Sequence, residues 1–238
     1  MSWLKGVFTP KFIRVNTPFL LVGWLLLSSG LVVLAGQGID EQALYKKVMR
    51  VYNSERAVKR VTAWRKLIAQ EQGSSEQRKL TEVNAFFNQM AFVNDSKLWG
   101  QKDYWATPVE FLAVAAGDCE DFSIAKYFSL IELGVAEEKL RLVYVKALTL
   151  DQFHMVVAYY PTPDAMPMIL DNLDTDIKPA SQRKDLAPVY SFNGTNLWLM
   201  KAKGRGQIAG KASRLQSWNE LRGGFKNNRM NKPKRSVD

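Results

Sequence analysis

The sequence predicts an α+β fold, a helical N-terminal half packed on an antiparallel β-sheet. Apolar residues recur at helical spacing through the first half of the chain. From Leu140 onward the pattern changes to short runs rich in β-branched and aromatic residues. Helices followed by strands, rather than alternating with them, are the mark of that class.

Residues 40–52 carry Leu44, Val48, Met49 and Val51 at near-helical spacing. Ser54 is placed to cap a second helix, with Val58, Val61, Leu67 and Ile68 as its apolar stripe. Ser74-Ser75-Glu76-Gln77 resembles a capping box opening a third helix, in which Leu80, Val83, Phe86, Phe87 and Met90 face inward. A polar stretch, 94–106, holds Trp99 and Trp105. Thr107-Pro108-Val109-Glu110 is a second capping box with proline at the first helical position, and its helix is expected to stop near Gly117. Asp118 then caps a helix from Cys119 to Leu133, closed by Gly134. Leu140–Leu148 and Phe153–Tyr160 read as adjacent strands, with Met168–Asn172 and Asn196–Ala202 as two more. From about residue 224 the chain is expected to be disordered.

The formal net charge of +10 at first suggests a nucleic-acid partner, but its distribution argues otherwise. Residues 201–238 carry +9 and residues 1–36 carry +3, leaving −2 for 37–200. The body is slightly acidic, and no nucleic-acid partner is expected. The expected organisation is an export segment over 1–36, one domain over 37–205 and a basic, flexible tail over 206–238.

The export reading rests on order. Lys5, Lys11 and Arg14 precede an uncharged apolar run, Phe19 to Ala35, and small residues Ala35 and Gly36 precede polar sequence. That is the pattern of a secretory signal peptide, so the expected location of the body is periplasmic. The run is long for such a signal, so an uncleaved inner-membrane anchor is the alternative.

One cysteine and one histidine limit the chemistry. No internal disulfide, Cys-rich metal site or two-histidine mechanism is available. Cys119 follows Gly117-Asp118 at a helix N-terminus, where the helix dipole favours the thiolate. A lone cysteine is more often a small buried hydrophobe. His154 lies within an apolar strand, and Asp171 ends the run Met168-Ile169-Leu170. A thiolate needs a base, and the base needs a group to fix its tautomer. Cys119, His154 and Asp171 supply these in order, with Asn172 as a substitute for the orienting role. That order and placement are those of papain-like and transglutaminase-like enzymes.

The block Gly117-Asp118-Cys119-Glu120-Asp121-Phe122-Ser123-Ile124-Ala125-Lys126, followed by Phe153-His154-Met155-Val156 and Leu170-Asp171-Asn172, resembles the bacterial transglutaminase-like cysteine proteases, in particular their periplasmic LapG type. The resemblance spans roughly residues 85–200. It implies a cysteine protease with a papain-like/transglutaminase-like core that cuts near the N-terminus of a large surface adhesin and so disperses a biofilm. It also implies sequestration by an inner-membrane receptor that senses cyclic-di-GMP.

The acids beside Cys119 need separate treatment. Asp118, Glu120 and Asp121 would repel a thiolate unless something offsets them. At about 100° per residue, Asp121 points nearly opposite Cys119, so the acids are able to gather on a cation while the sulfur faces a cleft. Hard carboxylate oxygens suit calcium, and the family's calcium site maps onto these positions. The alternative is that they merely complement the helix dipole. The backbone N–H of Cys119 is the natural first oxyanion donor, and Trp105 is a candidate to line the site or supply a second. Two other readings stay open: a transglutaminase or amide-transfer enzyme on the same fold, and a non-catalytic calcium-binding module.

Overall fold

The computed structural model describes residues 40–200 and 206–235. The apolar run Phe19–Ala35, and with it the export segment, lies outside the described residues. No helix among the described residues is long and apolar enough to cross a membrane.

Three helices open the described chain: α1 (Glu41–Tyr52), α2 (Glu55–Glu71) and α3 (Glu76–Phe87). Asp40, Ser54 and Ser75 cap them through side-chain oxygens that accept from the amide three residues on, each contributing about 1 kcal/mol. The expected box is only half formed, because the cap is Ser75 and the residue three on is Arg78, which has no acceptor to return; Glu76 pairs with Lys139 and Tyr159. β1 (Ala91–Phe92) and the short α4 (Asp95–Leu98) lead to α5 (Pro108–Val114), whose Thr107/Glu110 capping box is complete. α5 ends at Ala115 in the left-handed region, and Arg60 closes its exposed carbonyls by donating to Leu112 and Ala113. β2 (Ala116–Gly117) pairs parallel with β1 and delivers the chain to α6 (Cys119–Glu132).

α6 is buried along most of its length, so its sequence carries little amphipathic contrast. Trp64 of α2 donates its indole N–H to Ser129, and Lys79 of α3 donates to the Leu133 carbonyl at the helix end. The other side of α6 packs on a seven-stranded antiparallel sheet of order β6-β5-β4-β3-β7-β8-β9. Its strands are β3 (Leu140–Ala147), β4 (Gln152–Tyr159), β5 (Met168–Leu170), β6 (Lys178–Pro179), β7 (Leu186–Phe192), β8 (Asn196–Leu199) and β9 (Gln207–Lys211). The two-residue alternation is clean. Leu140, Leu142, Met155 and Val157 join the core beneath α6, whereas Val143, Val145, Val156 and Ala158 form a second apolar cluster.

Two features differ from the sequence reading. β7 went unread because Pro188 interrupts it; the register shifts between Tyr144 and Val145, so the proline sits at an irregularity of the ladder. The basic C-terminal residues are ordered through 235 rather than flexible from 206 or 224. β9 joins the main sheet, and α7 (Gln216–Lys226) follows. Trp218, Leu221 and Phe225 recur at helical spacing, and Trp218 packs on Tyr127, Phe128 and Phe192. An amphipathic stripe lies inside a charge-rich segment, and burial of that stripe overrides the composition. Beyond α7, Arg229 pairs with Glu110, the Asn231 amide donates to the same carboxylate, and the Lys234 amide donates to the Leu98 carbonyl.

Candidate active site and metal cluster

β5 reaches only as far as Val157 of β4, so residues 152–156 of β4 lack a β5 partner. The first turns of α6 fill that position. The Met155 carbonyl accepts from the Ser123 hydroxyl at 2.8 Å, and the Met155 amide faces the Cys119 sulfur and favours its thiolate. Both backbone groups of the residue after His154 are thus committed to α6, which sets Cys119 beside the histidine strand. Cys119 is the first residue of its helix and is 8% exposed.

His154 and Asp171 are both buried, and Nε2 lies 2.6 Å from Asp171 Oδ1. The same Oδ1 accepts from the amides of Asn172 (2.6 Å) and Leu173 (3.1 Å), while Oδ2 accepts from Arg183 Nη2 at 2.7 Å. Burial alone would raise the Asp171 pKa. The donors from His154, Leu173 and Arg183 outweigh it and hold the group at about 2. With Asp171 ionised, His154 carries its ring proton on Nε2, which leaves Nδ1 as the basic nitrogen. Asn172 contributes its backbone amide to this arrangement, and its side chain does not replace Asp171. The Asp171 main-chain carbonyl accepts from Asn88 Nδ2 and Lys126 Nζ, both at 2.9 Å. Lys126 is buried, which drops its pKa to about 7.

Asp95, Asp118 and Asp121 each place a carboxylate oxygen within 4.8 Å of the others. The Tyr104 amide donates to Asp95 and the Ala106 amide to Asp121, so the 104–106 segment wraps the cluster. One oxygen of each acid, Asp95 Oδ1, Asp118 Oδ1 and Asp121 Oδ2, is buried with no hydrogen-bond partner. Three acids so closely grouped, each with an unpaired carboxylate oxygen, fit a hard divalent cation such as calcium. Without one, burial and mutual repulsion raise all three pKa values, Asp95 to about 7 and Asp118 to about 11. Glu120 adjoins the cluster, its carboxyl meeting that of Asp118, and its Oε2 also accepts from the Cys119 thiol at 2.8 Å. Burial first, then the charges of Glu120 and Asp118, push the Cys119 thiol up.

Trp105 stacks on Phe192 and donates its indole N–H to Asp103. Asp95, Lys126 and Arg183 were missed by sequence reasoning. Asp95 lies 23 residues before Asp118 in a stretch that reads only as polar loop, and no local spacing signals it. Lys126 carried a signal, since it is the cation within the apolar run of α6.

Residues 45–190 match the family model described as bacterial transglutaminase-like cysteine proteinase BTLCP. The chain belongs to this family. The family is thus one of cysteine proteases on a mixed α+β scaffold, as the motif block implied. Among solved structures, Legionella pneumophila LapG in its EGTA-treated form is 42% identical, with a TM-score of 0.68 over 77% of this chain and 96% of that one. The calcium-bound form of Legionella pneumophila LapG is also 42% identical, with a TM-score of 0.66 over 76% of this chain and 98% of that one. A comparison with curated proteins returned no match. The family's mixed α+β fold is the one observed here, with its cysteine at a helix N-terminus against the central strands.

Proposed function

We propose that this protein is a calcium-dependent periplasmic cysteine endopeptidase that cuts the N-terminal region of a large surface adhesin and so promotes biofilm dispersal. The observation that carries the chemistry is the His154–Asp171 pair beside the strand residue whose amide faces Cys119. His154 Nδ1 takes the thiol proton, and the sulfur attacks the scissile carbonyl. The Cys119 backbone N–H, at the positive end of α6, stabilises the developing oxyanion. His154 returns the proton to the leaving amine, and water then hydrolyses the thioester with His154 as base. Asp171 keeps the imidazole in one tautomer and stabilises its cation.

Asp118, Glu120 and Asp121, joined by Asp95, would hold the calcium ion, which supplies positive charge that offsets the acids beside the thiolate. The unpaired oxygens of this cluster and the calcium-bound state of Legionella LapG support that reading. The adhesin substrate, the cyclic-di-GMP receptor as a sequestering partner and the periplasmic location rest on family resemblance and on the N-terminal sequence pattern.

The test is incubation of the purified protein with candidate adhesin N-terminal fragments, with calcium or with excess EGTA, followed by sequencing of new chain ends. A new N-terminus that appears only with calcium, and not with Cys119→Ala, is the expected result. Full cleavage in EGTA would remove the calcium dependence. Cross-linking to an added amine, without a new end, would favour amide transfer.

A further inference from the structure

We propose that Arg183 is a positioning residue for the reaction, clamping the Asp171 carboxylate in the orientation that faces His154. The inference rests on the Cys119–His154–Asp171 reading above and extends it.

Asp171 must present one oxygen to the imidazole while buried, 1% exposed. A buried carboxylate without a counter-charge is costly, and neutral His154 offers it only a hydrogen bond. Arg183 supplies the charge: Nη2 meets Asp171 Oδ2 at 2.7 Å, opposite the oxygen that His154 uses. Lys126 does not duplicate this role, since its ammonium is spent on the main-chain carbonyl. Arg183 is itself held. Asp185 grips its Nε at 3.0 Å and Nη2 at 2.8 Å, and its amide donates to Ala180 to close a tight turn. The guanidinium also borders a cavity of about 620 Å³ whose wall includes Val145, Val156 and Ile169, and these offer no substitute cation. Planar, two-sided bonding of this kind suits arginine and is only partly met by lysine.

A structural role alone would act through the backbone. At Asp171, however, the backbone carbonyl is anchored independently by Asn88 and Lys126. Removing the guanidinium therefore leaves Oδ2 without its charged partner, so the carboxylate hangs on Oδ1 alone while the main chain stays in place.

His154 is the single histidine of the chain, so its ring N–H gives an unambiguous proton resonance. In the Cys119→Ala protein that resonance should lie far downfield. Adding Arg183→Met should shift it upfield or lose it to exchange, with the melting transition still cooperative. In active protein, Arg183→Met should lower kcat roughly 10–100-fold with KM within about threefold, as loss of a supporting partner does. Arg183→Lys should recover part of that loss, and it replaces the methionine variant if that one fails to fold. An unshifted resonance together with unchanged kcat overturns the proposal. The resonance needs no substrate, so failure of wild-type protein to cleave would count against the protease reading and leave this one decided by the spectrum.

Discussion

Arg229→Met is the perturbation for which the structure gives the firmest magnitude. Glu110 is fully buried at the start of α5 and accepts from Thr107 N–H (2.8 Å), Tyr104 O–H (2.8 Å), Asn231 N–H (2.7 Å) and Arg229 Nη2 (3.1 Å). Removing one partner of a buried ion pair costs about 3–5 kcal/mol, chiefly through the charge left behind. Three neutral donors remain here, so the lower end, about 3 kcal/mol, is expected. Arg229 Nη2 also holds the Trp105 carbonyl at 2.6 Å, and that bond is lost as well. For a body of this size, about 2–4 °C per kcal/mol translates into a fall in Tm of roughly 6–12 °C. Circular dichroism melts at fixed calcium concentration measure it. Glu110→Gln in the same background should recover several degrees, because the stranded charge is then gone. A single variant within about 2 °C of wild type, or strictly additive effects, would refute the reasoning and return the C-terminal segment to the status of a passive tail.

Other consequences are equally open to measurement. Cys119→Ala should abolish cleavage while leaving Tm within about 2 °C of wild type, as expected when a thiol is replaced by a residue its pocket already accommodates. Excess EGTA should lower Tm by an amount that grows with the calcium concentration of the control, about 2.7 kcal/mol at a hundredfold excess over Kd, and Asp118→Asn should blunt that response. Gly117→Ala should damage the cluster without replacing a ligand, because a Cβ there runs into the Asp121 carboxylate and lies 2.8 Å from Phe111; an unchanged response to calcium in its melting curve would contradict this. Lys126 titrates near 10.5 when unfolded and at about 7 when folded, so the unfolded chain binds more protons between those values and stability rises with pH there. Relative to Lys126→Met, wild-type protein should gain about 2 kcal/mol from pH 7 to pH 9 in urea unfolding, and parallel curves would contradict the burial argument.

What could be read in advance was whatever local spacing encodes. The caps at Ser54 and Thr107, the helix that starts at Cys119 and the paired strands around His154 all announce themselves within a few residues. Asp171 was reachable because a polar residue ending an apolar strand has few roles. Asp95 and Arg183 were not, since each meets its partners only after the chain has folded back: Asp95 across α5 to reach Asp118, and Arg183 across a turn to reach Asp171. The C-terminus misled for a different reason. Its charge outweighed its pattern, although Trp218, Leu221 and Phe225 were spaced for burial throughout.

The solitary thiol has a redox consequence. A cysteine oxidised to the sulfenic acid is ordinarily rescued by a second thiol that captures it as a disulfide, and otherwise proceeds toward irreversible sulfinic acid. With one cysteine in 238 residues, this chain contains no resolving partner for Cys119. Its protection against peroxide is therefore geometric. Cys119 is 8% exposed and its thiol donates to Glu120, and the conditions that expose and ionise it for catalysis are the conditions that put it at risk.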